Sequence, residues 1–321
     1  MRDFDSDIHY DEEPPNEFLP DLTKQEPYIQ QAVDAIEEFF RRRKTPFHFR
    51  QLQVLFETQF FHITTAQAIY RLKDRGILQT KRFKAGTNVA TFVFPSYLLN
   101  SQNTKKTLET HMKSKARTIS LYASPYIAKD LADHFESLTK YELRSNNLTI
   151  VSSHSNEYKN RKWKKSKANL DFIAEHPDGR VFGVQAKNEL KPIEKEELEE
   201  QLEICSHLKI KPIFVVRYMP FSFTHLIKQQ QGFLLVIGNQ IWPLGHRKLC
   251  ENIKSRMSIS TNLIPQKLKE LAPKLRSEWP IEIRTDIPED ASKRLNYWIT
   301  SGKYPPTATK HAATTTNRPP S

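Results

Sequence analysis

Three residues between Ala168 and Glu189 could carry hydrolytic chemistry together: Asp171, Gln185 and Lys187. A carboxylate is the donor that a hard divalent cation needs, and an amide carbonyl can lend a neutral oxygen to the same ion or its water. A lysine within reach adds positive charge or orients that water. Spacing decides whether they meet. Between the two apolar runs lies His176-Pro177-Asp178-Gly179-Arg180, which fits a three-residue hairpin loop with Pro177 and Asp178 central in a type I turn and Gly179 left-handed at a bulge. Pairing His176 with Arg180 makes opposed residue numbers sum to 356, so Asp171 stands opposite Gln185 and Asn169 opposite Lys187. Alternation then gives Asp171, Gln185 and Lys187 one face of the hairpin, and Phe182, Val184 and Ala186 the other. A two-residue turn would turn Asp171 away from Gln185. On composition alone the same three residues also suit the solvated face of an edge hairpin.

The elements around this hairpin follow from periodicity. Ser124-Pro125 supplies an N-cap and a helix-compatible proline, and Ile127, Leu131, Phe135 and Leu138 form one apolar stripe of a helix to about Thr139. Strands are expected at Leu148–Ser152, Leu170–Glu175, Val181–Lys187, Pro212–Arg217 and Gly232–Ile237, with helices at Lys195–His207 and Pro265–Leu275. Residues 119–300 therefore read as an α/β domain, a mixed sheet flanked by helices, with a C-terminal helical extension. The acidic helix Glu194–Glu203 reads as an exposed face. His154, His176, His207, His225 and His246 show no close metal-ligand spacing and read as surface or core residues.

Asp171 after a hydrophobic residue, the hairpin, Gln185-x-Lys187, a following helix with Gln201 and the apolar strand Pro212–Arg217 together resemble the PD-(D/E)XK nuclease superfamily, over about residues 124–245. The flavour "LDFIA…VQAKN" is similar to Mrr-like restriction endonucleases and archaeal Holliday-junction resolvases. The resemblance implies a restriction-endonuclease-like fold, metal binding by Asp171, water activation by Lys187, and Mg²⁺, with Mn²⁺ as a substitute, as the cofactor. Gln185 stands where an acid is commoner; it would lend only a carbonyl oxygen, so metal should bind more weakly. The family also places an acid on the preceding helix. Taking 100° per residue, Asp130 lies about 95° from the centre of the apolar stripe, Glu136 about 145° and Asp133 about 155°. Asp130 is therefore expected to complete the catalytic and metal set, with Asp133 and Glu136 facing solvent.

Residues 27–98 form another unit. Helical spacing in Tyr28–Arg43, Phe49–Thr58 and Ile63–Arg75 is followed by two alternating β segments, Ile77–Arg82 and Val89–Phe94, around a KAGTN turn. This order, with "ITTAQAIYRLKDRGIL", resembles winged helix-turn-helix DNA-binding domains. Eleven basic residues against two acids between Arg41 and Lys84 favour phosphate contact over docking to protein alone. The expected DNA-binding residues are Thr65, Gln67, Tyr70, Arg71 and Lys73 on or near the third helix, and Lys81, Arg82 and Lys84 on the wing. Lys162, Lys164 and Lys165 in the run before Asp171 could grip phosphates, and Trp163 could stack on a base. Residues 99–118, polar and lysine-rich, read as a linker, with Thr104–Lys115 as a candidate helix within it.

The bulk numbers agree. The chain has 321 residues, enough for two domains, and a net charge of +12, which makes polyanions natural partners. Residues 1–26 hold nine acids against Arg2 and Lys24 and read as a disordered arm, as do 301–321 for their Pro and Thr. No GxxxxGK[ST] or GxGxxG occurs, which argues against helicases, kinases and dehydrogenases. Without a long apolar run or a secretory N-terminus, no membrane partner is expected and a cytoplasmic location is. Two cysteines build neither a disulfide framework nor a four-cysteine zinc site. Two functions follow: a metal-dependent DNA endonuclease, and a non-catalytic DNA-binding regulator built on a degenerate nuclease-like domain. Pairing as a homodimer, and partner proteins of a restriction, recombination or transposition system, stay open.

Overall fold

The computed structural model describes residues 22–85 and 88–263. The described residues divide into two compact units, one of 22–133 with 241–263, the other of 134–240. The arm before residue 22, the tip of the KAGTN turn, the helix expected at 265–275 and the C-terminal tail lie outside the described residues.

The first unit opens with α1 (Leu22–Arg41), β1 (Phe47–His48), α2 (Phe49–Phe56), α3 (His62–Asp74), β2 (Leu78–Ala85) and β3 (Asn88–Pro95). Its antiparallel sheet has the order β1-β3-β2. Ile29, Val33, Ile36 and Phe40 recur at three- and four-residue intervals on α1, so one face of that helix meets Leu52 and Phe56 of α2 and Ile69 and Leu72 of α3. Gly76 ends α3 in the left-handed region (φ 71°), where its N–H reaches the Lys73 carbonyl and that of Ile77 reaches Leu72. Most of residues 99–118, expected as a linker with a candidate helix at 104–115, lie in the longer α4 (Gln102–Tyr122), which follows a short 3-10 turn. Its Leu108, Met112 and Ala116 form a stripe one residue wide that packs on Ala90, Phe92 and Phe94. Such a thin stripe among lysines is barely visible in composition.

Helix α5 (Pro125–Ser145) starts in the first unit with the Ser124 hydroxyl accepting the Ile127 N–H, and runs into the second. There follow β4 (Thr149–Ser155), a small hairpin of β5 (Glu157–Tyr158) and β6 (Arg161–Lys162), then β7 (Leu170–Glu175), β8 (Val181–Lys187), α6 (Lys195–Leu208), β9 (Lys211–Val216), α7 (Thr224–Gln229) and β10 (Phe233–Val236). The sheet order is β10-β9-β8-β7-β4, with β8, β9 and β10 parallel and β7 antiparallel to both neighbours. This is an α/β arrangement with a mixed sheet flanked by helices. β11 (Gln240–Trp242) leads back into the first unit, where α8 (Arg247–Met257) and β12 (Thr261–Leu263) follow.

The β7–β8 hairpin has the register expected from its turn. Phe172 opposes Val184 and Glu175 opposes Val181. The His176 N–H donates to the Arg180 carbonyl, the Gly179 N–H returns to His176, and Gly179 has φ 87°. Arg180 donates to the Asp178 carboxylate and holds it well below the usual carboxylate range. Helices cover the two faces. On one, the Lys140 ammonium of α5 lies 4.5 Å from the centre of the Phe172 ring. On the other, Gly183 has no side chain and α6 comes close; a Cβ there would stand 2.7 Å from Cys205 Sγ. None of the described helices is long and apolar enough to cross a membrane.

Candidate active site

Asp171 lies where β7 and β8 stop pairing. The ladder ends at Phe172 and Val184, and one residue further Asp171 Oδ2 accepts the backbone N–H of Ala186 at 2.7 Å. The carboxylate is thereby tied to the peptide between Gln185 and Ala186. A half-buried acid fixed by a main-chain donor has little freedom to swing away, which is what a ligand position requires.

Two further groups converge on it. Glu136 of α5, His154 of β4 and Asp171 each offer a ligand atom, and these atoms lie within 4.8 Å of one another. His154 Nε2 is 3.7 Å from Glu136 Oε2. The Glu136 side chain is only 17% exposed, against 59% for His154, so the cluster is rooted in the protein and open on one side. Two carboxylates and an imidazole form a donor set that fits a divalent cation.

The acid contributed by α5 is thus Glu136, not Asp130. Asp130 accepts from His246 at 2.8 Å within the first unit, and this bond holds its carboxyl below the ordinary range. The geometric reason is the length of α5, which continues to Ser145 with Thr139, Glu142 and Leu143 buried. Thr139 and Leu143 lie three and seven residues beyond Glu136, so the buried stripe turns toward Glu136 in the second half of the helix. A stripe ending at Leu138 leaves it facing solvent.

Gln185 and Lys187 sit on the strand that holds Asp171, but their side chains differ in their surroundings. Gln185 is 7% exposed, and its Oε1 is buried with no hydrogen-bond partner among the described residues. An orphaned buried carbonyl oxygen is costly unless a cation or water completes it. Lys187 donates to the carboxylate of Glu197 on α6. The acidic helix expected as a solvated face therefore turns one of its acids inward. Gln201, one turn on, is also buried, with its Oε1 unpartnered among the described residues.

The expected nucleic-acid contacts divide by exposure. Thr65 is fully buried in α3 and cannot reach a groove. Tyr70 is half-buried with its ring beside Phe49, and Gln67 is half-buried with its Oε1 enclosed. Lys73, Lys81, Arg82 and Lys84 are exposed. Arg71 holds Glu26 of α1 through both guanidinium nitrogens, at 2.5 and 2.8 Å, and Lys81 holds Glu109 of α4 at 2.5 Å. In the second unit Lys162, Lys164 and Lys165 are exposed, with Lys162 on Glu157 and Lys165 on Glu203. Trp163 is not available for stacking. It is 4% exposed, packs with Leu170, Ile173, Ile204 and Leu208, and donates from Nε1 to Ser166. The β5–β6 hairpin folds the run back, and Trp163 N–H closes it on the Asn156 carbonyl.

Sequence reasoning missed Glu136 and His154 as site residues. The signal for Glu136 was the apolar Leu143 beyond the expected helix end. For His154 there was none, since it sits in a polar run of ordinary strand length. Comparison of the chain with protein-family models, with curated proteins and with solved structures finds no match.

Proposed function

We propose that the chain is a metal-dependent endonuclease that hydrolyses phosphodiester bonds in DNA, with a winged-helix first unit that holds the duplex and a restriction-endonuclease-like second unit that cuts it. The observation that carries this reading is the convergence of Glu136, His154 and Asp171 beside the Gln185-Ala186-Lys187 segment. Chain order supports it as well: helix, short strand, two helices and a hairpin is the order of a winged helix, and helix, three antiparallel strands, helix and parallel strand is that of the nuclease superfamily.

Each residue then has a task. Asp171 and Glu136 would supply the charge that retains Mg²⁺ or Mn²⁺, and the buried Gln185 carbonyl would offer a neutral oxygen to the ion or its water. The chemistry a divalent ion would supply there is a lowered pKa for a bound water and neutralisation of charge on phosphorus in the transition state. The Ala186 N–H keeps Asp171 in place through that change. Lys187, steadied by Glu197, adds positive charge next to the attacked phosphate. The exposed Lys73, Arg82 and Lys84 of the first unit, and Lys164 of the second, contact backbone phosphates.

Plasmid nicking with Mg²⁺ or Mn²⁺ tests the proposal, using the wild type, Asp171→Ala and Lys187→Ala. The expected result is cleavage by the wild type alone, with DNA binding of the variants within a few fold, because these groups serve the transition state rather than the grip. Full activity in either variant removes the site assignment. A second reading, a non-catalytic DNA-binding protein, is favoured by the neutral Gln185 and by the engagement of Lys187 with Glu197; duplex binding by a wild type that nicks with neither metal would establish it.

A further inference from the structure

We propose that His154 is a direct metal ligand and that its imidazole makes the site prefer Mn²⁺ to Mg²⁺. The inference rests on reading Asp171 and Glu136 as a metal site and goes further by specifying the ion. It starts from the strand next to β7. Ser153 opposes Phe172 and Ser155 opposes Leu170, so His154 stands directly beside Asp171 across the ladder. The backbone there is unusual: His154 has φ 48°, a conformation uncommon for a residue with a side chain, and the Asn169 side-chain amide donates to its carbonyl at 3.3 Å.

The distances suit a shared ion better than a direct bond. At 3.7 Å, His154 Nε2 and Glu136 Oε2 are too far apart for a hydrogen bond. Two donors on one ion stand roughly 3–3.5 Å apart, given metal–ligand bonds of about 2.1 Å, and side-chain rotation within the 4.8 Å cluster closes that gap. An independent sign of a ligand is the Gln185 Oε1, buried and without a hydrogen-bond partner among the described residues, on the residue next to Ala186, whose N–H holds Asp171. The imidazole is what separates the ions. Mg²⁺ takes oxygen donors and gives up water reluctantly, whereas first-row transition ions accept nitrogen readily. Two carboxylates with one imidazole favour the transition ion.

The test uses the full chain, Mn²⁺ as a paramagnetic probe and Mg²⁺ as competitor. Pulsed electron paramagnetic resonance of bound Mn²⁺ should show modulation from a directly coordinated nitrogen. In His154→Asn, where asparagine tolerates the left-handed backbone, that modulation should vanish and the Mn²⁺-over-Mg²⁺ preference should fall roughly tenfold, the size of loss usual for one contact in a metal site. His154→Gly serves as a second variant in case the first repacks. Asp171→Asn should lose Mn²⁺ binding altogether. Bound Mn²⁺ without nitrogen modulation, or an unchanged preference in both His154 variants, overturns the role of His154 and leaves the metal site standing. A wild type that binds no Mn²⁺ overturns both.

Discussion

Lys187 donates to the carboxylate of Glu197, so the lysine of the Gln-x-Lys segment is held by the helix that covers its own strand. Both side chains are half-buried, and the pair ties β8 to the first turn of α6. A lysine with four rotatable bonds needs such a partner to keep its ammonium in one place. Glu197→Gln should lower single-turnover cleavage by roughly 10- to 100-fold, the cost of about 1 Å of misplacement. Mn²⁺ affinity and DNA affinity should stay unchanged. A cleavage rate equal to wild type would reduce Glu197 to a packing residue.

Glu26 of α1 neutralises Arg71, one of two cations in the last turn of α3. The bond lowers the Glu26 pKa and raises that of Arg71, so the pair is intact across the physiological range. Removing the acid frees a cation for phosphate. Glu26→Gln should tighten duplex binding most at low salt and steepen log affinity against log salt by about 0.9. Titrations over a range of salt concentrations measure this, and an identical slope would show that Arg71 does not face the nucleic acid.

His48 is half-buried at the start of α2, and desolvation there pushes its imidazole down to about 3. The unfolded chain takes up a proton near the ordinary value of 6.5 while the folded chain does not. Stability from this group is therefore complete above pH 6.5 and is lost as pH falls toward 3, by up to about 1.4 kcal/mol per pH unit. Urea unfolding of the first unit at successive pH values should show this slope, and His48→Gln should flatten it. Equal slopes would place the acid sensitivity elsewhere.

Gly183 lets β8 approach α6. A methyl group there would stand 2.7 Å from both Cys205 Sγ and Leu170 Cδ1. Gly183→Ala should destabilise the second unit by about 1–3 kcal/mol, as overpacking of a dense core does. Adding Cys205→Ala removes the sulfur from the clash and should recover part of the loss in thermal melts. If the single variant melts with the wild type, sheet and helix are less tightly apposed than these distances state.

The register of the β7–β8 hairpin was legible in the sequence because it is a local matter. Pro177, Asp178 and Gly179 dictate the turn, the turn dictates which residue opposes which, and the strand period of two does the rest. The same holds for α1, α3, α6 and β9, whose apolar spacing belongs to the segments themselves. The identity of the site residues was a tertiary decision. Whether Asp130 or Glu136 joins Asp171 depends on how far α5 runs and where its buried stripe turns. The place of His154 beside Asp171 depends on β4 pairing with β7, including the register shift between Ile150 and Ser152, which one segment alone cannot encode. The engagement of Lys187 by Glu197 and the burial of Trp163 likewise arise from contacts across 10 to 45 residues of sequence. Periodicity states which face of an element is apolar; only the packing of those faces against one another determines which polar groups are carried to the same point.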